Sequence, residues 1–166
     1  MPKLRVYFRL DPTDWHGRSN EGLWAEPIEN ATPGTVFRLL NSPFFARGVS
    51  YLDIVQTAPR ESGVGREFAG VVDRGGHSTY MILVPPESKQ FPDLWEELRR
   101  LGCSYESMTI NLSVGVRTLH SVDVPDVADI HAVYNVLKKG EANDSWMFQE
   151  GHAGHDAVRR PATGKQ

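Results

Sequence analysis

One cysteine, Cys103, stands among 166 residues, so no disulfide can form within the chain and the sequence suits a reducing compartment. Long apolar runs are missing as well. No stretch approaches the roughly 20 residues of a membrane-spanning helix, which removes the membrane from the expected partners. The opening Met-Pro-Lys-Leu-Arg-Val-Tyr-Phe-Arg alternates like a strand and lacks the apolar block of a secretory leader. Concentrated positive charge is equally scarce. Basic residues gather only in pairs (Arg99-Arg100, Lys138-Lys139, Arg159-Arg160), and the formal net charge is −3. A sequence-independent nucleic-acid binder needs a dense cationic surface. These absences point to a cytoplasmic protein and disfavour nucleic acid as its partner.

What is present is enough to fold. Hydrophobic residues make up 40% and charged residues 23%, a balance that supports a buried core and argues against global disorder. Leu4, Val6, Phe8 and Leu10 alternate with Arg5, Tyr7 and Arg9, the pattern of a half-buried strand. Further strand-like runs cover Leu23–Ile28, Thr35–Leu40, Tyr51–Thr57 and Glu67–Val72. Pro and Gly turns separate them, so residues 1–76 read as a small antiparallel β-barrel-like part. The glycines of Gly63-Val-Gly65 resemble a phosphate loop only faintly, because strand rather than helix follows them; a hairpin turn explains them.

The second half changes rhythm. Thr79–Val84 is a strand. Phe91, Leu94, Trp95, Leu98 and Leu101 then recur at helical spacing, with Pro92 at the start, Arg99-Arg100 late and Gly102 beyond. Strands follow at Ser104–Ile110 and Val116–Val124. A second helix carries Val127, Ile130, Val133, Tyr134 and Leu137 on one stripe, with Gly140 at its end, and Trp146–Glu150 is the last strand. The order over residues 77–155 is β-α-β-β-α-β, the ferredoxin-like split unit. Residues 156–166 lack periodicity and read as a disordered tail. The expected fold class is α+β, a small N-terminal barrel-like part packed on a ferredoxin-like part.

Five motifs occur in order: Leu23-Trp-Ala-Glu26, Asn41-x-Pro-Phe-Phe45, Gly48-Val-Ser-Tyr-x-Asp53, Val122-Asp-Val-Pro125 and Trp146-x-Phe-x-Glu-Gly-His-x-Gly-His155. In this set the chain resembles a bacterial domain-of-unknown-function family of small proteins, over nearly its whole length. The resemblance implies a compact protein of this size and no assigned reaction. By order of elements alone, the C-terminal half is similar to the ferredoxin-like inhibitors of ribonuclease E, an analogy of fold.

Candidate chemistry is thin. His152 and His155, with Glu150 nearby, are the best metal or acid–base candidates. Histidines three apart diverge on a strand, and no further ligands stand at recognisable spacing, so neither a metal nor another cofactor is expected. Cys103 with His120 or His131 suggests a thiol nucleophile, but a lone cysteine at the start of a strand behaves as a small buried hydrophobe, and His120 alternates with core valines. The aromatics carry more. On an extended segment, adjacent Phe44 and Phe45 point to opposite sides, so one meets the core and the other a second layer, a partner or water. The candidate binding residues are therefore Trp24, Glu26, Asn41, Phe44, Phe45, Arg47, Tyr51 and Asp53, with Glu150, His152 and His155. The expected function is non-catalytic binding of another protein, a toxin or enzyme target, as an immunity, inhibitor or regulatory protein. The alternative is an enzyme or small-molecule sensor with a pocket at the seam between the halves, using His152, His155 and Glu150.

Overall fold

The structure, a computed structural model, describes residues 2–29, 34–61 and 63–155; the expected disordered tail lies outside them. Five strands, β1 (Leu4–Arg9), β2 (Asn20–Pro27), β3 (Val36–Leu39), β4 (Ile54–Pro59) and β5 (Arg66–Asp73), form a closed barrel in sequence order. Four of the five pairings are antiparallel. The closing pair is parallel, with Val6 opposite Arg66 and Tyr7 opposite Glu67. An odd number of strands laid alternately up and down brings the first and last into the same sense, so the antiparallel expectation holds everywhere except at this closure. Alternation then fills the barrel with Val6, Phe8, Leu23, Ala25, Phe37, Leu39 and Val55.

The chain passes directly into β6 (Ser78–Val84), α1 (Phe91–Arg100), β7 (Ser104–Leu112), β8 (Gly115–Val124), α2 (Ile130–Ala142) and β9 (Met147–His152). The four strands pair antiparallel in the order β7-β8-β6-β9, which is the ferredoxin-like arrangement. Tyr80, Ile82, Val122 and Val124 meet Leu94, Leu98, Val133 and Leu137 from the helices. The chain is thus α+β, as its periodicities predict. Among the described residues, no helix is long and apolar enough to cross a membrane.

Two details of α2 differ from the expectation. Val127 is 88% exposed because the helix begins later, where the Asp129 carboxylate accepts the amide hydrogens of His131 and Ala132, both at 3.1 Å. Gly140 lies inside the helix rather than ending it. The Trp146 indole occupies the space a Cβ there would need, and its Nε1 donates to the Leu137 carbonyl at 3.0 Å. That glycine serves packing and not termination.

Candidate functional site

The sheet face turned away from the helices carries Met81, Ile110 and Leu119. These pack with Phe45 of the β3–β4 loop and with Leu10 and Trp15 of the β1–β2 loop. Hydrogen bonds add to this apolar seam. The Ser121 hydroxyl donates to the Pro43 carbonyl at 2.6 Å, the Ser50 and Thr79 hydroxyls lie 2.6 Å apart, and the Gly48 amide donates to the Gly151 carbonyl at 2.8 Å.

The Phe44-Phe45 segment is a bent loop rather than an extended strand, so the expected opposite orientation does not hold. Both rings join the seam, with centroids 6.2 Å apart. Phe45 is only 6% exposed, and Phe44 is half-buried. The cause is Glu21 on β2, whose carboxylate accepts the amide hydrogens of Phe44, Phe45 and Ala46 at 2.7, 3.0 and 2.8 Å. Three successive amides turned toward one anion form a nest, a conformation in which neighbouring side chains need not alternate. Burial pushes the Glu21 pKa up, and the three hydrogen bonds oppose that rise only partly.

Two concavities flank the loop between β1 and β2. A groove of about 560 Å³ lies over the sheet, lined by Met81, Leu83, Leu119, Met147 and Trp15 and bounded by the β7–β8 turn at Leu112–Val114. Val114 and Met147 are 69% and 68% exposed on its rim. Trp15 reaches the Phe45 ring at 5.9 Å, and Phe45 lines the second concavity. This is a cleft of about 380 Å³ between the barrel and β7 that also takes in Arg5, Arg18, Trp24, Asn41, Phe44 and Glu106. The Trp24 indole is 43% exposed, with the Arg5 guanidinium 4.7 Å above it. Asn41 bridges the two halves. Its Oδ1 accepts the Trp24 amide hydrogen at 2.9 Å, and its Nδ2 donates to Glu106 at 3.4 Å.

Of the candidates read from the sequence, Trp24, Asn41, Phe44 and Phe45 therefore come together in one cleft. Glu26 stands beside it, paired with Arg38 at 3.2 Å. The others lie elsewhere. Arg47 donates to Gln149 at 2.7 Å, and Tyr51 sets its ring edge-on to His77. Asp53 is fully buried and accepts from the Ser50 amide, the Gly75 amide and Arg74 at 2.9, 2.9 and 3.0 Å. Glu150 is exposed and His152 half-buried; with His155, neither lines the groove or the cleft. The buried His155 ring bridges the Ser78 hydroxyl, 2.6 Å from Nδ1, and the Pro125 carbonyl, to which Nε2 donates at 2.9 Å. Among the described residues, no three His, Cys, Asp or Glu side chains gather as metal ligands. Cys103 is buried, and desolvation pushes its thiol up to about 12. His120 is stacked on Phe91, and burial lowers its pKa to about 4.

Sequence reasoning missed Arg5, Arg18, Glu21, Ser42 and Glu106 in the cleft, and Trp15 and the methionines of the groove. Arg5 had a signal, since its outward position on a strand places it with other wall residues. The loop residue Arg18 and the nest carboxylate of Glu21 had none.

Comparison with known proteins agrees with this architecture. The model of a family described as a domain of unknown function, DUF4265, matches residues 21–148. A crystal structure of a hypothetical protein from Neisseria gonorrhoeae is similar over 93% of this chain and 96% of its own, with a TM-score of 0.66 at 19% identity; that likeness is one of fold. No curated protein matches the chain.

Proposed function

We propose that the chain, which belongs to the DUF4265 family, is a non-catalytic protein-binding module, an immunity, inhibitor or regulatory protein of the bacterial cytoplasm. In this reading it receives an apolar side chain of its protein partner in the groove between Trp15 and the β7–β8 turn. The observation that carries it is that groove, an apolar recess left open on the sheet face opposite the helices, with Val114 and Met147 exposed at its rim. Contiguous apolar surface left in water is a mark of interaction sites. Methionine walls suit the role because unbranched thioethers adapt to the shape they meet. Gln149 supports it further: its Nε2 is buried in the groove wall without a hydrogen-bond partner among the described residues, and a partner's carbonyl would satisfy it.

The residues that could carry chemistry favour a binding role over a catalytic one. A thiol pushed up to about 12 is no nucleophile at neutral pH, and a histidine lowered to about 4 is neutral there and too weak a base to draw off a proton efficiently. The His155 ring joins the segment after β9 to β6 and to Pro125. The reading is tested by affinity capture from native cell extract with the wild type and with Met147→Asp. One stoichiometric protein should be retained by the first and lost by the second, with the melting temperature of the variant unchanged.

A further inference from the structure

The cleft on the other side of the Trp15–Phe45 contact has a different chemistry. Two guanidinium groups line it, Arg5 from the barrel wall and Arg18 from the β1–β2 loop. Among the described residues neither makes an ion pair. Each rests on an aromatic face, Arg5 at 4.7 Å from the Trp24 centroid and Arg18 at 4.9 Å from that of Phe45. Such stacking uses the flat face of a guanidinium and leaves the in-plane N–H donors available. Arg5 commits one of them to the Gly22 carbonyl, at a long 3.5 Å.

Two carboxylates share the cleft without forming an ion pair with either cation among the described residues. Glu21 is occupied by the three amides of the 44–46 nest. Glu106 contacts Asn41. A third polar residue borders the same cleft. Ser42 lines the cleft, is 7% exposed, and its hydroxyl has no hydrogen-bond partner among the described residues. An unsatisfied buried hydroxyl is costly, and a bound acceptor would remove that cost.

We infer that this cleft binds a carboxylate carried on an apolar or aromatic group. Arg5 and Arg18 supply the charge, the Ser42 hydroxyl is a further donor, and the Trp24 and Phe44 rings receive the apolar part. The inference goes beyond the groove reading and does not depend on it. A free small carboxylic acid and an acidic side chain presented by a polypeptide share this chemistry.

The test follows amide proton–nitrogen NMR signals during titration with three probes: benzoate, its neutral isostere benzamide, and the doubly capped peptide acetyl-Phe-Glu-Phe-amide. Saturable shifts at Gly22, Trp24 and Asn41 are expected with a carboxylate probe and not with benzamide, weakening as salt is raised. Benzoate alone would identify a free acid as the ligand class; the peptide alone would identify a polypeptide side chain. Arg18→Gln and Arg5→Gln should each weaken binding about tenfold, or about 1.4 kcal/mol. Glu106→Gln should tighten it, since a like charge is removed. The inference is overturned if benzamide binds as benzoate does, if neither carboxylate saturates at millimolar concentration, or if Arg18→Gln with a native spectrum binds unchanged. Protein capture lost in Met147→Asp but retained in Arg18→Gln would leave the groove reading standing whatever these titrations show.

Discussion

Glu21 holds Phe45 in place through the backbone: its Oε1 lies 3.0 Å from the Phe45 amide nitrogen and 2.8 Å from that of Ala46, while Oε2 takes the Phe44 amide at 2.7 Å. One side chain of β2 thus sets the path of a loop more than twenty residues away, and that loop carries the aromatic wedge between barrel and sheet.

Glu21→Gln should show this dependence. The amide can keep the bonds at one oxygen position, but its NH2 group then faces an N–H donor at the other. A loss of about 1–3 kcal/mol is expected for a buried donor left unsatisfied, measured by urea denaturation with an unchanged m-value. A variant as stable as the parent would mean the nest does not hold the loop.

The two phenylalanines should separate by degree. Phe45→Ala removes a ring that packs with Met81, Ile110 and Leu119 and should cost about 3–5 kcal/mol, as truncation of a core aromatic does. Phe44→Ala, at a half-buried site, should cost clearly less. Equal melting temperatures for the two variants would contradict the placement of Phe45.

Gly140→Ala reverses an ordinary rule. Alanine in a helix interior normally gains up to about 1 kcal/mol over glycine. At this position the added methyl meets the Trp146 indole, whose Nε1 is already committed to Leu137. Overpacking of about 1–3 kcal/mol should win, and thermal melting should show a net loss.

His120 makes stability depend on pH in a definite direction. Its pKa is lowered by burial from 6.5 to about 4. Between those values the unfolded chain takes up a proton that the folded chain refuses. Stability from this group is therefore complete above pH 6.5 and is lost as pH falls towards 4, by up to ~3 kcal/mol. His120→Phe should abolish that slope. Its Nδ1 has no partner among the described residues and its ring already stacks on Phe91 at 4.7 Å, so the variant should fold at least as stably at neutral pH. An unchanged slope would place the titration elsewhere.

How much of this was legible in the sequence depends on the range of the interaction. Strand alternation in Leu4–Leu10 and the apolar stripes of the two helices are local patterns, and they led to the α+β order of elements. Gly140 misled because its partner, Trp146, lies beyond the helix, and a stop signal and a packing signal look alike in one letter. The Phe44-Phe45 pair was misread for a related reason. Its geometry is imposed by Glu21, which belongs to no local pattern involving it. In the cleft, Trp24 and the phenylalanines were legible as aromatics too many for one core, and Asn41 only through the motif it shares with Phe44 and Phe45. The arginines that give the cleft its charge come from a strand and a loop whose meeting only the folded barrel brings about.

The most direct measurement of the central claim uses a photo-crosslinking amino acid placed at Val114, on the rim of the groove, in native cells. The account predicts a crosslink to a single protein, the same one captured by the wild type and lost by Met147→Asp. If that protein instead crosslinks from Val72, exposed on β5 of the barrel, and nothing crosslinks from Val114, the groove is not the surface through which this protein acts.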